Sequence, residues 1–161
     1  MTISVGDKLP EITFMHMSDA GPAPITTEAL FSGKNVGLFA LPGAFTPTCS
    51  NQHLPGFIQQ AEALREKGLD TIICLSVNDA FVMDAWGKQQ NADGKVMMLA
   101  DGNGEFTAAI GLEMDGSGFG MGTRSLRYSM IVRDGVVEVL NVESNPGEAK
   151  DSGAETMLGQ L

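Results

Sequence analysis

Residues 36–57, VGLFALPGAFTPTCSNQHLPGF, decide the fold. Residues 36–41 form an apolar run broken only by Gly37. That is how a strand buried on both faces reads, although a buried helix segment shows the same periodicity. Pro42 and Gly43 then break regular structure. Thr46, Pro47, Thr48 and Cys49 follow in the order of a helix start, with threonine at the N-cap, proline at the first helical position and cysteine at the third. There the Cys49 sulfur lies beside backbone amides that have no partner inside the helix. Those amides and the helix dipole favour negative charge, so the thiolate is stabilised and a nucleophile is prepared. Most free cysteines are small buried apolar groups, and that is the competing reading. Against it, the neighbours Thr46, Thr48, Ser50 and Asn51 are polar, and a helix N-terminus is a poor place to hide an apolar group.

Beyond Cys49, Pro55 and Gly56 should kink the helix, because proline lacks an N–H and its ring meets the preceding turn. Phe57, Ala61 and Leu64 recur at helical spacing with Ile58 beside them, and Gly68 is a C-terminal stop. His53 lies four residues after Cys49. That spacing suits a general base or a hydrogen-bonding residue on the helix face, and a minor structural role is expected. Residues 71–77, TIICLSV, read as a second buried strand in which Cys74 is an inert core thiol. Asn78 and Asp79 cap a helix lined by Val82, Met83 and Trp86, with the tryptophan in the core. A turn at 91–94, a third strand at 96–100 and a short helix at 105–110 follow.

The N-terminal 34 residues suggest an edge hairpin around Ile12, Phe14 and Met15, then a helical turn at TTEALF. His16 has no second ligand at metal-binding spacing, so no metal site is expected. GSGFGMG at 116–122 lacks the strand and helix context and the Lys-Ser/Thr ending of a phosphate loop, and reads as a mobile loop flanking the site. Residues 127–132 and 136–142 are strands around the turn Arg133, Asp134, Gly135. Residues 143–152 are turn-rich, and 154–161 form a closing helix. Alternating strands and helices with a terminal hairpin make an α/β chain with a mixed sheet covered by helices.

The bounds agree. A chain of 161 residues is one domain with room for a core, and 43% hydrophobic content is that of a globular protein. A net charge of −10 without a basic patch argues against nucleic-acid or anionic-membrane partners, whereas an uncharged substrate would not be repelled. Two cysteines make no disulfide framework, and no apolar run approaches the roughly 20 residues of a membrane span. MTISVGDKLPEI has neither the basic nor the apolar region of a signal peptide, so a reducing cytoplasmic setting is expected.

The spacing Pro42, Thr46, Cys49 after an apolar strand resembles the active-site signature of the peroxiredoxins. The fuller wording LPGAFTPTCSNQHLPGF, with CLSVNDAFVMDAWG and RSLRYSMIVRDGVV downstream, is similar to the type V (atypical) subfamily over nearly the whole chain. The resemblance implies a thioredoxin-like fold, a mixed central sheet flanked by helices with peroxiredoxin-type additions, over residues 1–161. It also implies a thiol peroxidase acting on hydrogen peroxide and alkyl hydroperoxides. Cys49 would be the peroxidatic nucleophile that becomes a sulfenic acid, Thr46 would position the peroxide, and Pro42 would shield the thiolate from water. Arg127 would be a fixed positive charge near sulfur and peroxide. On residue type alone Arg127 reads equally as a surface strand arginine, and Arg124 is the competing choice, carried as a supporting contact.

Members of the family that close an internal disulfide carry a second cysteine near the C-terminus, and residues 143–161 have none. The expectation is a one-cysteine cycle without a bound cofactor. Its sulfenate would be reduced by an external thiol, glutathione with glutaredoxin being favoured and thioredoxin the other candidate. The subfamily usually dimerises through loops around the active site, and Phe45 would suit such a contact. A peroxide sensor using the same Cys49 is the alternative. A thiol-disulfide oxidoreductase is disfavoured because Ser50, Asn51 and Gln52 follow Cys49 in place of a C-x-x-C motif.

Overall fold

The computed structural model describes all of residues 1–161. In chain order the strands are β1 (Thr13–Ser18), β2 (Gly21–Thr26), β3 (Asn35–Ala40), β4 (Thr71–Ser76), β5 (Met97–Ala100), β6 (Glu113–Asp115), β7 (Thr123–Ser125), β8 (Tyr128–Arg133) and β9 (Val136–Val142). The α-helices are α1 (Thr27–Phe31), α2 (Leu54–Glu66), α3 (Ala80–Gln89), α4 (Glu105–Ala109) and α5 (Ala154–Gln160). Seven strands form one mixed sheet in the order β2-β1-β5-β4-β3-β8-β9, and β6 pairs with β7 separately. Strands β3, β4 and β5 run parallel, whereas β8 is antiparallel to β3 and β9 to β8.

β3 lies deep in this sheet because it is apolar on both faces. Val36, Leu38 and Ala40 join Phe14, Ile73, Leu75 and Phe106 in the core covered by α1 and α4. Phe39 and Leu41 join Phe57, Ile72, Cys74 and Trp86 in the core beneath α2, α3 and α5. This two-residue alternation is the pleat of a strand with two buried faces. Gly37 interrupts it for a steric reason: a Cβ there would meet Leu69 Cδ1 at 2.7 Å and Met157 Sδ at 2.8 Å.

The expected edge hairpin is β1–β2, and the GPAPIT strand β2 was not legible as a strand. Pro22 and Pro24 cannot donate to a ladder on both sides, which confines β2 to the sheet edge. The terminal hairpin turns at Asp134 and Gly135, with φ of 48° and 77°, as a tight two-residue hairpin requires. Residues 116–122 close the small β6–β7 hairpin through a 3₁₀ turn at Ser117–Phe119, where sequence reading expected only a loop. The helix expected to kink at Pro55 instead changes its winding upstream: Cys49–His53 is π-helical, and the α-helical register resumes at Leu54. No helix is long and apolar enough to cross a membrane.

Candidate active site

The chain leaves the carboxyl end of β3 and turns through Pro42–Phe45 before its helical winding begins at Pro47. The amide of Ala44 donates to Asn78 Oδ1 at 3.0 Å, and that oxygen also accepts the Ser76 hydroxyl at 2.7 Å, so the turn is tied to the end of β4. Phe45 takes a left-handed backbone with φ of 65° and is half exposed. For a bulky residue this conformation is strained, as it often is beside functional sites. Thr46 does precede the first helical residue. Its hydroxyl, however, donates to Gly43 O at 2.7 Å, so it fastens the turn in place of capping the helix. Cys49 is the third helical residue as expected, yet it is fully buried, against the expectation that a helix start leaves it accessible.

Burial of Cys49 is matched by a buried cation. Arg127, 2% exposed, sits immediately before β8 and donates from Nη2 to Cys49 Sγ at 3.1 Å. Its Nε donates to Pro146 O at 3.1 Å, and its Nη1 meets His53 Nδ1 at 3.0 Å. Since Arg127 has only donors, His53 Nδ1 is the acceptor, and the imidazole proton is on Nε2, which donates to Ser152 O at 3.0 Å. Burial, and then the positive charge of Arg127, push the His53 pKa down to about 3, so the ring is neutral at physiological pH. With both nitrogens engaged, His53 is no general base. It is more than a minor structural residue, because it orients the arginine that touches the sulfur. The side-chain ion pairs of the protein are Lys88–Asp84 and Arg133–Glu138, so Arg127 has no carboxylate partner. A buried cation with only neutral acceptors is costly, and a Cys49 thiolate would pair it.

The π winding is part of the same construction. Leu54 N–H donates to Cys49 O, five residues back. In that register the Ser50 carbonyl would await the N–H of residue 55, which is proline and has none. Gln90, at the end of α3, fills the gap with a bond from Nε2 to Ser50 O at 3.2 Å, and Trp86 Nε1 donates to Ser50 Oγ at 3.1 Å. Trp86 is fully buried, as expected, but also holds the turn that carries Cys49.

The two arginines take different stations. Arg124, on β7, donates from Nη1 to Pro42 O at 3.2 Å and from Nε to Met121 O at 3.0 Å, which locks the β6–β7 hairpin onto the turn. Arg127 alone bonds the sulfur. Pro42 is buried and Thr46 half-buried beside Gly43. Cys74 is fully buried on β4, where burial and then the neighbouring Cys49 push its pKa well above the ordinary thiol value, so it stays protonated. Sequence reading gave His53 only a minor structural role and missed Asn78, Glu143, Pro146 and Ser152 as parts of this site. Only the turn signals of residues 143–152 pointed there, and they gave no hint that carbonyls of that segment face the arginine.

Over its whole length the chain is similar to known proteins. The model of the redoxin family matches residues 4–158. The chloroplastic peroxiredoxin-2E of Arabidopsis thaliana is 51% identical over 99% of this chain and 70% of its own length. This chain belongs to the peroxiredoxin family. Peroxiredoxin-2B of the same plant is 48% identical over 99% of this chain and 98% of its own. A crystal structure of reduced Prx3 from Vibrio vulnificus in complex with hydrogen peroxide superposes with a TM-score of 0.94, at 52% identity and 99% coverage of both chains. This peroxiredoxin is therefore a peroxidase with the thioredoxin-like fold that its mixed sheet and flanking helices display.

Proposed function

We propose that this peroxiredoxin reduces hydrogen peroxide and alkyl hydroperoxides in a one-cysteine cycle centred on Cys49. The Cys49 thiolate attacks one peroxide oxygen, the O–O bond breaks, and the departing hydroxide or alkoxide takes a proton, leaving a sulfenic acid on sulfur. An external thiol then condenses with the sulfenic acid, releasing water and forming a mixed disulfide, and a second thiol reduces that disulfide. The observation that carries this reading is the 3.1 Å bond from Arg127 Nη2 to Cys49 Sγ, made by a guanidinium that neutral acceptors hold on its other sides. A fixed cation there stabilises the thiolate and the charge that develops on the peroxide in the transition state. Thr46 is assigned to position the peroxide, Pro42 to exclude water, and Arg124 to hold the turn.

What supports the one-cysteine form is the state of the second cysteine: Cys74 is buried within a strand, where burial keeps its thiol protonated. The type V subfamily remains part of this proposal. The plant relatives at about half identity bear peroxiredoxin-2 names and the Vibrio vulnificus structure that of Prx3. Glutathione with glutaredoxin is the proposed reductant, in a reducing cytoplasmic setting, and a homodimer formed around Phe45 the proposed assembly.

The test is turnover. Peroxide consumption is followed with glutathione plus glutaredoxin, and separately with thioredoxin and its reductase, for the wild type and Cys49→Ser. Catalytic consumption in the first system, lost in Cys49→Ser, is expected. Turnover with thioredoxin alone would reassign the reductant. Stoichiometric oxidation without cycling in either system would contradict the enzymatic cycle and select a peroxide sensor.

A further inference from the structure

Residues 144–153, SNPGEAKDSG, are mostly exposed and bring almost no apolar side chain inward, yet they supply two of the carbonyls that hold the site. Pro146 O accepts Arg127 Nε, and Ser152 O accepts His53 Nε2. A third, Gly147 O, accepts the Thr48 hydroxyl at 3.2 Å, next to Cys49. A segment so rich in glycine and polar residues has no hydrophobic reason to keep one shape. Short turn bonds to Asn145 and Lys150 shape it locally, and a buried carboxylate draws its C-terminal half inward. Glu143 is 7% exposed and has no cationic partner. Its Oε2 accepts from Lys150 N at 2.8 Å, Ser152 N at 2.7 Å and Ser152 Oγ at 2.6 Å. Its own amide donates to Arg127 O at 3.0 Å, so the carboxylate is anchored to the backbone of the arginine whose side chain the segment clamps.

We propose that Glu143 is a positioning residue for the peroxidatic site: it folds residues 144–153 into the clamp that aims Arg127 at Cys49. The route is short. The carboxylate fixes Ser152, Ser152 O fixes the tautomer and orientation of His53, and His53 Nδ1 with Pro146 O leaves the guanidinium one direction in which Nη2 reaches the sulfur. Charge-assisted bonds to backbone amides are among the stronger neutral-to-ion contacts and suit such a hinge point. The inference rests on the reading that Cys49 reacts with peroxide, and it adds that the reactivity is set from 143 by geometry.

The experiment is a double-mutant cycle on the rate constant of Cys49 oxidation by hydrogen peroxide in single turnover. Glu143→Ala is expected to slow oxidation by about 10- to 100-fold, the loss typical of a misplaced reacting group. In an Arg127→Ala background the same substitution should change the rate by less than about twofold, because it acts through the arginine. Glu143→Gln, which keeps an acceptor oxygen at the same place, should restore most of the wild-type rate. A merely structural role would slow both backgrounds alike, and that additivity would overturn the proposal. Should Glu143→Ala not fold, Glu143→Asp replaces it in the cycle; it withdraws the carboxylate by one methylene and carries the same expectations. A fast wild type with an unaffected Glu143 variant overturns this inference alone, whereas a wild type no faster than a free thiol overturns the peroxidase reading and this inference together.

Discussion

Arg127 makes three side-chain hydrogen bonds, and only one of them is to the group that reacts. Pro146 O and His53 Nδ1 take up the other directions of the guanidinium, and Nη2 is left for Cys49 Sγ. Removing one preorganised donor from a developing charge costs on the order of 100-fold. Arg127→Ala should therefore slow Cys49 oxidation by about that factor, read by stopped flow, whereas an unchanged rate would move the role to Arg124. His53 gives a separate prediction. Its folded pKa of about 3 lies below the ordinary imidazole value of 6.5, so the folded state holds the neutral ring where the unfolded chain has taken a proton. This contribution to stability is present above pH 6.5 and is lost as pH falls toward 3. Between about pH 6.5 and 5 most carboxylates are still ionised, which leaves histidine to dominate the change. The urea midpoint should fall across that window in the wild type and fall less in His53→Gln; equal slopes would contradict the assignment.

At the scale of elements, the strand–turn–helix unit at residues 36–57 was legible because each of its parts has a local cause. An apolar run, a proline break and a proline at the first helical position each act within a few residues. The π turn at Cys49–His53 was not legible, since nothing local tells a kink from a change of winding. What stabilises it is Gln90, some 40 residues away in sequence, on another helix. Gln90→Ala leaves the Ser50 carbonyl without its protein donor and should cost about 1 kcal/mol in urea denaturation, together with a change in Trp86 fluorescence. No loss of stability would mean that water satisfies that carbonyl equally well. The strands β2, β6 and β7 were missed for a related reason: their sequences are rich in proline or glycine, or too short to show alternation, and pairing partners define them.

For the whole molecule, length and the alternation of elements were enough for an α/β chain with a mixed sheet, and the motif resemblance was needed for the thioredoxin-like form. The order of the seven strands came from neither. In the site, Cys49 and its turn could be read directly, and Arg127 only through the resemblance. The clamp around Arg127 could not be read at all, because backbone carbonyls carry no residue signature. A dimer around the half-exposed Phe45 should show twice the chain mass by light scattering at micromolar concentration, and a monomeric mass would remove it.

Arg127, held by His53 and the segment after β9, is proposed to make a buried cysteine reactive toward peroxide. The most direct test is the rate of Cys49 oxidation by hydrogen peroxide in a Cys74→Ser background, followed by Trp86 fluorescence and intact mass. Trp86 reports on the site because its indole N–H is bonded to Ser50, the neighbour of Cys49. The expected result is oxidation orders of magnitude faster than that of a free thiol, giving a sulfenate that glutathione caps as a mixed disulfide. Oxidation at the rate of a free thiol would contradict the claim, because the cation at the sulfur would then do nothing for the reaction.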